Sequence, residues 1–362
     1  MVLQTEFAQI KGNDLYIDDV KATDLVKQYG SPLYVMSEGH IRKQFNTLKT
    51  KMIDKYENTL PLFASKSFSC KAIYKLAMEY GVGIDCVSAG EISVALKAGF
   101  DPKKIYFHGN NKLPSEIQYA LENGVENFVI DNFYEIELVE EIASKLNVMV
   151  NGLVRITPGV YAGGHDYIRV GAKDTKFGFS SHDNTYLKAI KKVIDAPHIN
   201  FDGIHCHVGS QIEEIQAYVL AMNKFVDIAY EIYDIFGIVI NKLNAGGGFG
   251  IQYTASDHPL EFDDVVSTIM DIKRPMVLVE PGRYCVGNAG ITLYTVGSYK
   301  YIRDIRDYIS VDGGMTDNIR SSLYNAKYDA VIANKAGEEA DHLVTVAGKN
   351  CESGDILIKD IM

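Results

Sequence analysis

No CxxC pair occurs in this chain. Its five cysteines, Cys70, Cys86, Cys206, Cys285 and Cys351, are odd in number and widely spaced. That excludes a zinc ribbon and a disulfide framework, and it fits a reducing compartment. No apolar run approaches the ~18 residues a membrane span needs. The opening MVLQTEFAQIKG has neither a basic start nor an apolar core, so a secretory signal is not expected. Positive charge is in deficit: 36 Lys and Arg against 47 Asp and Glu give a net −11. Such a balance argues against gripping phosphate backbones, which needs a basic face, while leaving room for a local basic pocket. The expectation is a cytoplasmic protein with no nucleic-acid partner and no membrane contact.

What is present is ordinary globular material. The 362 residues are 47% hydrophobic and 23% charged, so disorder and fibrous repeats are excluded. Short apolar runs recur: PLYVM (32–36), LPLFAS (60–65), GIDCV (83–87), KIYFH (104–108), NFVID (127–131), GLVRI (152–156), GIHCHV (203–208), KLNAG (242–246) and MVLVE (276–280). Each reads as a buried strand, nearly continuous in apolar character as parallel strands covered on both faces are. Between them lie helical candidates at 69–81, 89–99 and 114–124, the last two ending near Gly. This alternation predicts an α/β fold, a (β/α)8 TIM-type barrel over residues 32–285, with nine candidate strands for eight places. A doubly wound open sheet is the alternative. After Gly282 the chain turns to Thr, Val, Tyr and Ile, in 291–314 and 342–348. That predicts a second, smaller β domain from residues 1–31 plus 286–362, to which LYIDDV (15–20) could add a strand. There is no internal repeat and no flexible linker.

Polar and Gly-rich residues fall at the strand ends: Lys66, Ser88, His108 to Asn110, Asp131, Arg155, Thr157, His207 to Ser210, Gly246 to Gly248, and Glu280 to Arg283. In a barrel those ends meet on the face that carries the active site. Lys66 is either a solvated strand-end lysine or a desolvated amine able to form a Schiff base. Gly246-Gly247-Gly248 suits a tight turn or a backbone cradle for phosphate, without dinucleotide or Walker spacing. In EPGR, Glu280 and Arg283 form either a surface ion pair or a carboxylate for a ring nitrogen beside a cation for a phosphate. His205 and His207 are read as facing opposite sides of one strand, so no shared metal is expected. One is a candidate to stack on an aromatic cofactor, the other a satisfied buried histidine. Cys351 lies in a polar loop whose acidic neighbours Glu352 and Asp355 suit a proton donor better than a thiolate nucleophile.

Taken in order, FASKSFSCKA, GIDCVSAGE, FHGNNK, DNFYE, RITPGV, TKFGF, HCHVGSQI, NAGGGFG, EPGR, DGGMTDNIRSSLY and CESGD cover essentially the whole chain. Together they resemble the diaminopimelate decarboxylases, pyridoxal-phosphate enzymes of the alanine racemase-like barrel class. The resemblance implies decarboxylation of meso-2,6-diaminopimelate to L-lysine and CO2, the last step of lysine biosynthesis. It implies that Lys66 carries pyridoxal 5'-phosphate, that His207 stacks on the ring, and that Glu280 faces the ring nitrogen. Ser210, Gly246, Gly247, Gly248 and the EPGR residues Pro281, Gly282 and Arg283 would complete the cofactor site. Arg283, Arg320, Tyr324 and Glu352 would read the substrate's carboxylates and distal amine. Cys351 would donate a proton across the interface of a homodimer, with Glu352 beside it. The family continues past CESGD through strands bearing a Gly-Ala-Tyr motif, which has no counterpart before Met362, so a C-terminally incomplete β domain is expected. The rivals are a sister decarboxylase acting on ornithine, arginine or carboxynorspermidine, and an inactive pyridoxal-phosphate-binding relative. Arg320 with Tyr324 favours a substrate that bears a second carboxylate.

Overall fold

The structure, a computed structural model, describes residues 5–159, 175–272 and 275–362. Val160, the last residue of RITPGV, and the opening MVLQ lie outside the described residues. The chain forms two compact units: Lys43–Gly250 with Pro259–Val286, and Met1–Arg42 with Ile251–His258 and Gly287–Met362.

The first unit is a closed barrel of eight parallel strands: β1 (Thr59–Ala64), β2 (Gly83–Cys86), β3 (Ile105–Phe107), β4 (Asn127–Ile130), β5 (Val150–Thr157), β6 (Ile199–His205), β7 (Lys242–Asn244) and β8 (Met276–Val279). Consecutive strands pair in chain order, and β8 returns to β1 through Val277, Leu278 and Val279 opposite Thr59, Leu60 and Pro61. That closure excludes the doubly wound sheet. Among the described residues, helices follow the strands as α1 (Lys71–Glu79), α2 (Ala89–Ala98), α3 (Pro114–Glu122), α4 (Phe133–Leu146), α5 (Thr185–Asp195), α6 (Ile215–Phe236) and α7 (Phe262–Ile269), with one short helical turn, Arg283–Val286, after β8. None of the described helices is long and apolar enough to cross a membrane.

The motifs set the helix starts. In SAGE, Ser88 Oγ accepts the Glu91 N–H at 3.3 Å while Glu91 accepts the Val87 N–H. In DNFYE, Asn132 caps the Glu135 N–H and Glu135 accepts the Asp131 N–H. Each is a reciprocal cap at the top of a strand. Helix α2 stops at Gly99, whose φ of +90° suits glycine.

Side chains alternate along a strand, so one set faces the barrel interior. Leu62, Tyr106, Val129, Leu153 and Leu278 form one buried cluster from five strands. Two residues further along three of those strands, on the same face, stand His108, Asp131 and Glu280, with Arg155 on β5 at the same step. The apolar layer supports a polar layer above it, at the C-terminal ends where barrel enzymes work.

Of the nine candidate strands, PLYVM is the extra one. Leu33–Met36 pairs antiparallel with Gly290–Leu293, outside the barrel. Its apolar character reflects packing with Leu15, Ile17 and Leu293 in the second unit, which alternation alone does not distinguish from a barrel strand. A short strand at Phe179–Ser180, not expected from sequence, adds parallel to β5. In the second unit, Val296–Ile302, Arg306–Val311, Val344–Ala347 and Ile356–Ile361 form a four-stranded sheet. The LYIDDV strand, Asp14–Ile17, instead joins its own three-stranded sheet with Ala8–Lys11 and Val20–Lys21.

Candidate active site

Lys66 sits in a single 3-10 turn, Ser65–Ser67, directly after β1. Ser65 Oγ donates to the Asp85 carbonyl at 2.7 Å and Ser67 Oγ to the Ala64 carbonyl at 2.8 Å, fixing the turn on both sides. The Lys66 ammonium lies 4.0 Å from Asp85 Oδ2, yet its side chain is 55% exposed. Of the two alternatives the sequence left open, that exposure matches the solvated strand-end lysine rather than the desolvated amine. The turn places the lysine at the open mouth of the barrel, above the buried layer.

Asp85 is the residue sequence reading missed. It is fully buried on β2, and neither carboxylate oxygen has a hydrogen-bond partner. Burial pushes its carboxyl well above the usual carboxylate range; Lys66 opposes that shift and Glu280 adds to it. A lone Asp inside GIDCV was the available signal, since an acid in a buried strand needs a partner.

Glu280 is buried just after β8. Asn244 Nδ2 donates to it at 2.7 Å, His205 Nε2 lies 3.3 Å away and His108 Nε2 3.1 Å away. Burial raises its carboxyl, against the pull of Lys66 and Arg155. His108, His205 and His207 are all pushed well below the ordinary histidine value, chiefly by burial, so they are neutral donors or acceptors at neutral pH. The ligating atoms of His108, His205 and Glu280 come within 4.8 Å of one another. His205 reaches Glu280 by a hydrogen bond, whereas His108 Nε2 is a buried atom without a hydrogen-bond partner.

The expectation that His205 and His207 face opposite sides is corrected. Residues two apart on a strand share a face, and β6 ends at His205. His205 reaches Glu280, and its Nδ1 has no hydrogen-bond partner. His207 follows in the loop, its Nδ1 accepting the Gly247 N–H at 3.1 Å.

The glycine loop is crowded by main chain on all sides. A Cβ on Gly246 (φ +71°) would lie 2.2 Å from the Cys206 carbonyl oxygen, and one on Gly247 2.5 Å from the Glu280 carbonyl oxygen. Gly246 N–H donates to Asn244 Oδ1 at 2.9 Å, and Glu280 N–H to the Gly246 carbonyl at 2.8 Å. Only glycine gives this close approach of backbone. Beside it, Arg283 Nη2 donates to Ser210 Oγ at 2.9 Å. Pro281 accepts the Ala64 N–H at 3.2 Å, and Gly282 leaves no room for a side chain against Ala64. Lys66, His207, Ser210, Gly246 to Gly248 and Glu280 to Arg283 thus gather at one mouth of one unit. Unpartnered buried atoms of Asp85 and His108, a cradle of bare backbone and a hydroxyl–guanidinium pair fit a small, planar, anionic cofactor.

The loops after β3 and β4 are locked by a buried pair. Lys112 Nζ donates to Glu135 Oε1 at 2.6 Å, to the Gly109 carbonyl at 2.9 Å and to the Val129 carbonyl at 2.7 Å. Every proton of the ammonium is used, so the burial of charge is compensated.

Arg320, Tyr324, Cys351 and Glu352 belong to the second unit. Arg320 and Tyr324 bound a short helix, Arg320–Tyr324. Cys351 and Glu352 are exposed. Their loop is tied to that helix through Ser322 Oγ, which donates to the Gly354 carbonyl at 2.8 Å.

The pyridoxal-binding domain of the pyridoxal-dependent decarboxylases matches residues 38–287. The diaminopimelate decarboxylase of Bacillus subtilis is 44% identical over 371 aligned positions, covering 100% of this chain and 84% of that relative. This chain belongs to the diaminopimelate decarboxylase family. The Staphylococcus aureus family member is 42% identical, covering 97% of this chain and 84% of its own length. The crystal structure of the M. jannaschii diaminopimelate decarboxylase in co-complex with L-lysine superposes with a TM-score of 0.90 at 31% identity, covering 99% of this chain and 85% of that one. The family is pyridoxal-dependent, which matches the cofactor fit at the barrel mouth.

Proposed function

We propose that this chain decarboxylates meso-2,6-diaminopimelate to L-lysine and CO2, as the last step of lysine biosynthesis in the cytoplasm. The observation that carries the reading is the gathering of Lys66, Asp85, His207, the glycine cradle, Glu280 and Arg283 at one barrel mouth. Pyridoxal phosphate, when bound, accepts the electron pair left as a carboxylate departs. Lys66 holds that cofactor through its amine. The backbone of Gly246, Gly247 and Gly248, with Ser210 and Arg283, holds the phosphate. Glu280, oriented by Asn244 and His205, would hold the ring nitrogen, and His207 would pack on the ring. Arg320 and Tyr324 of the β domain read the carboxylate that the product keeps, with Glu352 on the distal amine, so that the departing carboxylate is held in one orientation. Cys351 returns a proton to the carbon from its Sγ, across the interface of a homodimer.

The test has two parts. Borohydride reduction of the purified yellow protein should fix the cofactor on the Lys66 peptide, and Lys66→Ala should abolish that linkage. CO2 release should appear with diaminopimelate and be much slower with lysine, ornithine or arginine. A label on another lysine, or faster turnover of ornithine, would overturn the assignment.

A further inference from the structure

Arg320 is not a loose surface arginine. Its guanidinium carbon lies 4.8 Å over the ring of Tyr253 and 5.8 Å from the ring of Tyr328. Its Nη1 donates to Tyr328 Oη at 2.6 Å. The two tyrosines meet edge to face, ring centroids 5.7 Å apart and planes at 74°. A guanidinium stacked on one ring and bonded to a hydroxyl on another has lost most of its torsional freedom. It keeps four of its five N–H donors for a carboxylate.

The backbone that carries Tyr253 is itself anchored. Asp257 Oδ2 accepts the N–H of Tyr253 at 3.0 Å and of Thr254 at 2.7 Å. Asn288 Nδ2 donates to the carbonyl of Gln252 at 2.6 Å. Tyr253 therefore sits on a stiff turn, five residues after Gly248 in the chain. At the helix, the Arg320 carbonyl accepts from the Ala326 N–H at 3.3 Å, and the Arg320 N–H donates to Asn318 Oδ1. The backbone that carries Arg320 is held on both sides.

We propose that Tyr253 and Tyr328 form an aromatic clamp that pre-orients Arg320 and so determines selectivity for a substrate with a second carboxylate. The inference rests on the reading of Arg320 as the carboxylate reader. Pre-orientation lowers the entropy lost on binding, so its removal weakens binding of every ligand that carries that carboxylate. The tyrosines are positioning residues: they act through Arg320.

The experiment uses the holoenzyme and four variants, Tyr328→Phe, Tyr253→Leu, Tyr253→Phe and Arg320→Ala. Tyr328→Phe removes only the hydroxyl, and Tyr253→Leu removes the ring. Each should raise KM for diaminopimelate by about tenfold, with a parallel rise in the inhibition constant of L-lysine. The kcat should change far less, and the affinity for pyridoxal phosphate should not move. Cadaverine, which has no carboxylate, should inhibit variant and parent equally. Tyr253→Phe keeps the stacking ring and should restore the parental KM. In an Arg320→Ala background neither tyrosine change should add anything. If Arg320→Ala raises both constants but Tyr328→Phe and Tyr253→Leu leave them unchanged, the clamp is wrong. If Arg320→Ala itself changes neither constant, the carboxylate-reading role fails instead. Should Tyr253→Leu lose its fold, shown by loss of cofactor binding, Tyr328→Phe decides alone.

Discussion

Asp85 concentrates the electrostatics of the barrel mouth. It is faced by Lys66, His108 and Glu280, with Glu91 and Arg155 further off. Its folded-state pKa is raised above the unfolded value, so around neutral pH the folded cofactor-free protein binds more protons than the unfolded chain. Stability from that source is lost as pH rises. The three neutral histidines work the other way: their folded values are depressed, so they contribute stability that grows as pH rises and is complete above ~6.5, the unfolded histidine value. Above neutrality the raised carboxyls of Asp85 and Glu280 are joined by the thiols of Cys86, Cys206 and Cys285, whose folded values burial also raises, so all of these contributions fall as pH rises. The melting temperature of the cofactor-free protein should therefore fall from about pH 7 to about pH 9, and Asp85→Asn should flatten that slope. Equal slopes in thermal melts of parent and variant would mean that Asp85 is already ionised at pH 7.

At the scale of the element, the glycine loop shows how little freedom the strand ends have. Gly246 and Gly237 both have positive φ, +71° and +69°. A Cβ on Gly237, which ends α6, meets nothing within 4 Å, whereas one on Gly246 meets main chain at 2.2 Å. Gly237→Ala should cost ~1 kcal/mol from backbone strain alone. Gly246→Ala should cost ~3 kcal/mol or more and abolish pyridoxal-phosphate binding, because the Cys206 carbonyl cannot retreat without moving His207. Melting curves and cofactor titration of the two variants check this pair; similar losses in both would show that φ, not the close approach, decides. The loop's close packing was legible in the sequence for the same reason. Three glycines directly after an apolar strand announce a backbone approached closely, and His108, Asp131, Arg155 and Glu280, which close or follow apolar runs, form one polar layer at the barrel's C-terminal end. PLYVM misled because its partner, Gly290–Leu293, is about 250 residues away in the chain, and strand pairing at that separation leaves no local trace. Asp85 escaped because one acid within GIDCV reads as an irregularity until His108 and Glu280 are seen across the barrel. Lys112 and Glu135 stood in FHGNNK and DNFYE as motif letters only; their pairing required the loops of adjacent strands to be side by side.

For the whole molecule, the proposed proton donation by Cys351 would draw on a second chain. Cys351 and Glu352 are exposed in the single chain, yet their loop is tied down by several hydrogen bonds. Asp355 Oδ1 accepts the Met315 N–H at 2.5 Å and its Oδ2 the Asn350 N–H at 2.8 Å, while Gly313 accepts the Lys349 N–H at 2.8 Å. A fixed exposed loop carrying a thiol and a carboxylate is what a residue set offered to a second copy requires, since its ordering entropy is already spent before association. If each site takes Lys66 from one chain and Cys351 from the other, Lys66→Ala and Cys351→Ala chains are each inactive alone but complement when mixed. In a hybrid dimer one site then has both residues and the other has neither. With random and symmetric assortment, half of the dimers are hybrids, so about one site in four should recover. Subunit exchange is followed independently with chains of different mass, so that a failure to mix is not read as a failure to complement. Exchange without recovered turnover would place Cys351 in the site of its own chain or outside the proton path. Recovery near the one-in-four limit would make the dimer the smallest working unit of the enzyme.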